Sequence, residues 1–267
     1  MKWCFVLSMV AATLLIASTT QAAIVYSASY DAEVSNSFNG FGIMQNESNH
    51  ANTTFIWQVF ADDLTYSTAT GSESQSFGSD PSGAGWAGNG ANTADGNNFT
   101  YSAGTNNAGG AAGETGGQIN RGANNRGYYA DTSIGTIDMT TDLHAEGRLM
   151  IDGTAADNGF YVGWINTTDP NNTLQRLGFV FSENSGAVPS KSGARIALSN
   201  SGANGTASGG NAEVSDIAGL PLYFSLDYSA STGIFTGVIW TIPEPASVVL
   251  VGIGLVGLAG RTRKIRR

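Results

Sequence analysis

One cysteine occurs in 267 residues, and it is Cys4. Beyond it the chain has no thiol, so disulfides, thiolate-bound metals and cysteine nucleophiles are all excluded there. Lysine is almost as scarce, with only Lys2, Lys191 and Lys264. The two histidines, His50 and His144, stand too far apart in sequence to form a helical His-x-x-x-His metal pair. Charged residues make up 12% of the chain and no amphipathic helical stretch of useful length runs through its middle. With 36 glycines and many Ser, Thr and Asn, this is the composition of an exported all-β chain rather than a helical cytosolic enzyme.

The N-terminus carries Lys2, an apolar stretch from Val6 to Ile16, then ASTTQAA. A basic start, a short apolar core and small residues before a cleavage point define a secretory signal over residues 1–23, expected as a helix and cut after Ala22 or Ala23. Lys2 belongs to this leader, and five of the remaining basic residues crowd into the last seven positions. Between Ala23 and Ile242 this leaves six basic residues against 20 acidic ones, a net of about −14. Such a body repels nucleic acid and anionic lipid and stays soluble after export. No basic stripe with interleaved aromatics contradicts that reading.

The C-terminal stretch 243–267 has three physical parts. Pro243, Glu244 and Pro245 break any strand or helix and leave an extended junction. Ala246 to Gly260 are 15 uncharged residues, about 22 Å as a helix, a marginal span for a hydrocarbon core of about 30 Å. Arg261, Arg263, Lys264, Arg266 and Arg267 then hold that end on the cytoplasmic side. This order closely resembles the PEP-CTERM sorting signal of Gram-negative bacteria that make extracellular polysaccharide. The resemblance implies recognition by an exosortase, a membrane-embedded cysteine protease. It also implies an inner-membrane-anchored precursor with a transmembrane segment at 246–260, tail removal, and display on the cell surface or in the extracellular matrix.

The body, 24–242, is expected to form an antiparallel β-sandwich or jelly roll. In TTFIWQVF, Phe55, Trp57 and Val59 share one face while Ile56 and Phe60 lie on the other, a strand buried on both sides. From Tyr128 onward short apolar-alternating segments follow one another with turns at Asp152-Gly153, Asn158-Gly159, Asp169-Pro170 and Ser231-Thr232-Gly233. Tyr223, Ser225 and Asp227 alternate with Phe224, Leu226 and Tyr228. Ile234, Thr236 and Val238 alternate with Phe235, Gly237 and Ile239, which predicts a hairpin with one apolar face per strand. Together with GFYVGWIN and LGFVFSE, this hairpin resembles the closing strands of concanavalin A-like jelly-roll domains. Residues 71–127, with 15 glycines, read instead as a long irregular insertion in which NNFTYSA alone has strand character.

Chemistry is sparse. Polysaccharide-cleaving jelly rolls use two carboxylates about 5–10 Å apart, carried on a Glu-x-Asp-x-x-Glu strand that is absent here. Asp31 with Glu33, and Asp142 with Glu146, are the nearest approximations, and each reads more simply as a solvated pair. Calcium is the one cation left open, with Asp152, Asp157 and Asp169 as turn carboxylates that fit no EF-hand. Glycines in GAGWAGNG and GIGLVG lie in no strand-to-helix context and give no nucleotide site. Glycan contact needs an aromatic face with polar neighbours, and the candidates are Trp86, then Trp164 with Asn166 and Arg148. The expectation is a non-catalytic exported protein, structural or adhesive, with weak glycan affinity. A polysaccharide-active enzyme on the same scaffold is the alternative.

Overall fold

The computed structural model describes residues 22–32, 37–45, 57–91, 97–120, 125–153, 159–171, 175–183, 194–200, 206–207 and 217–241. The expected signal helix and membrane helix therefore lie outside the described residues. So do Glu33, His50, Phe55, Ile56, Asp157, Pro243, Glu244, Pro245, Arg261, Arg263, Lys264, Arg266 and Arg267. Among the described residues no helix is long and apolar enough to cross a membrane.

Strands dominate: β1 (Ile24–Asp31), β2 (Ser37–Phe38), β3 (Gly40–Gln45), β4 (Trp57–Thr68), β5 (Gly71–Gln75), β6 (Trp86–Gly88), β7 (Thr100–Ser102), β8 (Glu114–Ile119), β9 (Tyr128–Asp131), β10 (Ile137–Asp138), β11 (Leu143–Gly153), β12 (Gly159–Ile165), β13 (Arg176–Glu183), β14 (Ala194–Asn200), β15 (Thr206–Ala207), β16 (Pro221–Ser229) and β17 (Ile234–Thr241). The first sheet has the order β1-β17-β16-β11-β4-β8-β7, with β5 paired to β4. The second has the order β15-β14-β13-β12-β3-β9-β6, and β2 with β10 forms a small ribbon. Every pairing is antiparallel. Antiparallel sheets of short strands leave one face free for polar residues, which is why alternation is readable in β16 and β17.

The two sheets close on each other through large side chains. Phe41 of β3 stacks on Tyr66 of β4, with ring centroids 4.4 Å apart and planes 11° apart. Trp57 of β4 meets Phe160 of β12 edge-on at 5.8 Å, and Phe179 of β13 meets Phe224 of β16 at 6.1 Å. Tyr26 of the edge strand β1 reaches Phe179 at 6.0 Å. Each such side chain removed from water contributes ~1.5–3 kcal/mol, with ~0.5–1.5 kcal/mol more per well-oriented ring pair. One polar link crosses the same interior: the Tyr66 hydroxyl donates to Asp131 Oδ2 at 2.8 Å, while Asp131 Oδ1 accepts from the amide and hydroxyl of Ser133. In the predicted hairpin Phe224, Leu226, Tyr228, Phe235 and Ile239 all turn inward and are buried.

The reading of residues 71–127 as irregular is corrected in part by the structure. Four strands, β5 to β8, are drawn from this glycine-rich stretch, and β8 is an interior strand of the first sheet. Thr100–Ser102, inside NNFTYSA, is one of them. At some of these positions glycine serves close approach. Gly116 of β8 has φ +147°, and a Cβ on it would collide with the Val59 carbonyl of β4. Gly113, at φ +107°, lies equally tight against the Phe77 carbonyl. At these two positions a residue type that suggests a loop encodes backbones pressed together.

Candidate functional site

The outward face of the first sheet is the part of the sandwich where polar, charged and aromatic side chains converge. Alternation along β11 turns Ala145, Gly147, Leu149 and Ile151 inward and His144, Glu146 and Arg148 outward. Registers then set three cross-strand rows. Thr236, Asp227 and His144 form the first. Val238, Ser225, Glu146 and Thr65 form the second, and Trp240, Tyr223 and Arg148 the third.

The third row is a stack. The Arg148 guanidinium lies over the Tyr223 ring, 4.9 Å from its centroid, and Tyr223 stacks on Trp240 at 6.1 Å and 28°. Both rings remain partly exposed. Arg148 is aimed by two further partners. Its Nε donates to Asp63 Oδ2 at 2.8 Å and its Nη1 donates to the Gly109 carbonyl. Asp63 reaches that position because the β4–β11 register slips between Glu146 and Arg148, placing an extra β4 residue there with φ 48°. A β-bulge re-aims side chains in this way, and Asp is one of the few residues that tolerate the left-handed backbone.

Beside the stack, the 103–113 loop lies over Asp62. Glu114, fully buried, accepts from Asn107 N at 2.9 Å, Asn107 Nδ2 at 2.6 Å and Ala108 N at 2.8 Å, and so pins the loop down. Gly110 comes so close to Asp62 Oδ2 that a Cβ would not fit. Asp62 is itself fully buried, with Oδ1 accepting from Asp63 N and Oδ2 without a hydrogen-bond partner. Burial pushes its carboxyl up to about 6, the Asp63 amide pulls the other way, and the charges of Asp63 and Glu114 add to the rise.

The first row borders an open groove of ≈ 580 Å³, lined among others by Ser67, Asp142, His144, Asp227, Thr232 and Thr236. His144 Nδ1 donates to Asp227 Oδ1 at 2.7 Å, and its Nε2 stands 3.7 Å from Glu146 Oε2. Ser67 is tied to the His144 backbone, accepting from its amide at 2.9 Å and donating to its carbonyl at 3.2 Å, so its hydroxyl is not aligned with the ring as a nucleophile requires. Asp142 Oδ1 caps the neighbouring turn by accepting from Ala230 N. Among the described residues no three His, Asp or Glu side chains group as metal ligands.

Of the glycan candidates read from sequence, Arg148 alone stands beside aromatic rings on an open face. Trp86 is a correction: it is 2% exposed, wedged among Tyr66, Phe77 and Tyr129, and a lone Trp in a glycine-rich stretch turns out to fill the core. Trp164 is fully buried against Phe41, with its indole N–H donating to the Ser67 carbonyl. Asn166 builds the turn after β12, accepting from Thr168 N and Asp169 N and donating to Gln175. Asp152, at the end of β11, and Asp169, in that turn, are exposed and belong to different sheets. Tyr223 and Trp240 are not among the site residues expected from sequence, although Tyr223 carries a signal: it is an aromatic at the polar beat of an amphipathic strand.

Residues 241–264, which begin at the last residue of β17, match the family model of the PEP-CTERM protein-sorting motif. The chain is thus an exported protein that carries an exosortase-recognised tail. The match covers that tail and not the sandwich. No curated protein and no solved structure matches the chain.

Proposed function

We propose that the protein is a non-catalytic component of the cell surface or exopolysaccharide matrix, held at the inner membrane as a precursor and freed by exosortase. Its sandwich has a structural or adhesive role and contacts glycan weakly through the outward face of the first sheet. The observation that carries this reading is the Arg148–Tyr223–Trp240 stack. It is an amphipathic aromatic surface flanked by hydroxyls and carboxylates, on a body that a sorting tail delivers outside the cell. Sugar rings lay their C–H faces on such aromatics while Arg, Asp and Ser side chains bind hydroxyls. Binding to the processed extracellular protein, measured against a glycan panel with and without calcium, tests it. Tyr223→Ala or Trp240→Ala is expected to lower retention of any bound glycan at least tenfold. Retention that survives both substitutions contradicts the assignment.

One observation favours the second reading, a polysaccharide-active enzyme: Glu146 and Asp227 flank His144 at the groove. More than half of each carboxylate side chain faces solvent, however, whereas a general acid at neutral pH depends on desolvation. Release of reducing ends by the wild type and its loss in Glu146→Gln would establish the enzyme.

A further inference from the structure

Among the described residues the exposed large hydrophobics are Ile24, 69% exposed, and Leu220, 45% exposed. They are far apart in sequence and close in the fold. Ile24 opens β1 opposite Trp240, and Leu220 immediately precedes β16, whose Leu222 pairs with Thr241 and whose Tyr223 pairs with Trp240. Both therefore sit at the end of the first sheet that carries the aromatic stack. It is also the end where β17 runs out at Thr241. The far end of the same face holds Asp31, Asp142, Asp227 and Thr232 instead. At the apolar end Asp63 is paired with Arg148, and one exposed carboxylate, Asp152, lies at that end beside the Gly219–Leu220 turn.

We propose that this end, with Ile24, Leu220, Tyr223 and Trp240 at its surface, is a lipid-contact surface on which the precursor rests at the membrane–water interface before its tail is cut. The inference rests on the sorting reading, which puts residues 246–260 in a membrane. Four residues lie between Thr241 and Ala246, and the five Cα–Cα steps span no more than ~18 Å of extended chain, so Thr241 stays within that reach of the inserted segment. Its residue types suit that place. Trp and Tyr favour the headgroup layer, Ile and Leu the outer hydrocarbon, and the Arg148 stem is apolar with a charged tip. The acidic end points away from anionic headgroups.

The test uses the leader-cleaved chain from Ala23 to Arg267, which has no cysteine of its own, with one spin-labelled cysteine, at Leu220→Cys, at Ile24→Cys, or at Thr232→Cys on the opposite end, reconstituted in phosphatidylcholine–phosphatidylglycerol vesicles. Flotation reports whether the tail inserts, and accessibility to oxygen against a nickel chelate reports where the label sits. The proposal predicts co-flotation and an oxygen-to-nickel ratio several-fold higher at positions 220 and 24 than at 232. Equal ratios in floating vesicles overturn the lipid contact while leaving the tail reading intact. Failure to float overturns the tail reading itself, and with it this proposal. Dipolar broadening between labels at 220 identifies a second copy of the chain as the occupant and likewise overturns it.

Discussion

Ile24 and Trp240 are cross-strand partners at the end of the first sheet where the last strand stops. β17 lies between β1 and β16 and pairs with both along nearly its whole length. Peeling it away would break two ladders and expose Phe235 and Ile239, so the folded body protects the chain up to Thr241. The sorting motif begins at the residue where that protection ends.

The first prediction concerns that boundary. Glu244→Ala removes the carboxylate between the two prolines and leaves the apolar run intact. Full-length, membrane-retained protein is expected on immunoblots of fractionated cells. Processing at the wild-type rate would contradict recognition of the triplet.

Asp62 predicts a pH dependence. Its folded-state value of about 6 lies above the ordinary value of 3.8, so between those limits the folded state holds a proton that the unfolded chain has released. The Asp62 contribution to stability is therefore greatest below about pH 4 and declines as pH rises to about 6. Asp62→Asn keeps the acceptor for Asp63 N and removes the buried charge. A gain on the order of 1–2 kcal/mol at pH 7, and none at pH 3.5, is expected from urea unfolding. A variant less stable than wild type at pH 7 would contradict this.

Tyr66→Phe deletes the donor to Asp131 Oδ2 in the closed interior, where Asp131 is 2% exposed. An unsatisfied carboxylate oxygen there costs ~1–3 kcal/mol. Burial raises the tyrosine's own ionisation well above its usual range, with the Asp131 charge next and the bond to Asp131 adding to the rise. Denaturant midpoints read the loss, and a change below ~0.5 kcal/mol would show that the bond contributes nothing net.

Gly116→Ala tests whether glycine in β8 is structural. The new methyl meets the Val59 carbonyl at a φ of +147°, so β8 has to move off β4. We expect ~2 kcal/mol or more of destabilisation and faster amide exchange in β7 and β8. Wild-type exchange in those strands would return this segment to the status of a tolerant loop.

Period and position decided how much was legible in the sequence. Alternation in β16 and β17 revealed the hairpin because one face of an antiparallel sheet is wet. The tail was readable because Pro-Glu-Pro, an apolar run and an Arg cluster act locally. Residues 71–127 misled because glycine has the same composition signal whether it is loose or pressed against a neighbouring strand. Trp86 misled because its partners Tyr66, Phe77 and Tyr129 come from other strands and from a turn. The Arg148 site needed a register slip and a distant loop, neither of which any local window contains.

Processing separates an exported sandwich from a disposable sorting tail. Intact-mass and peptide mapping of the extracellular protein test it most directly. The expected product is a chain that begins near Ala23 or Ile24 and yields no peptide from Val248 onward. Recovery of the terminal Arg266–Arg267 sequence outside the cell would contradict it.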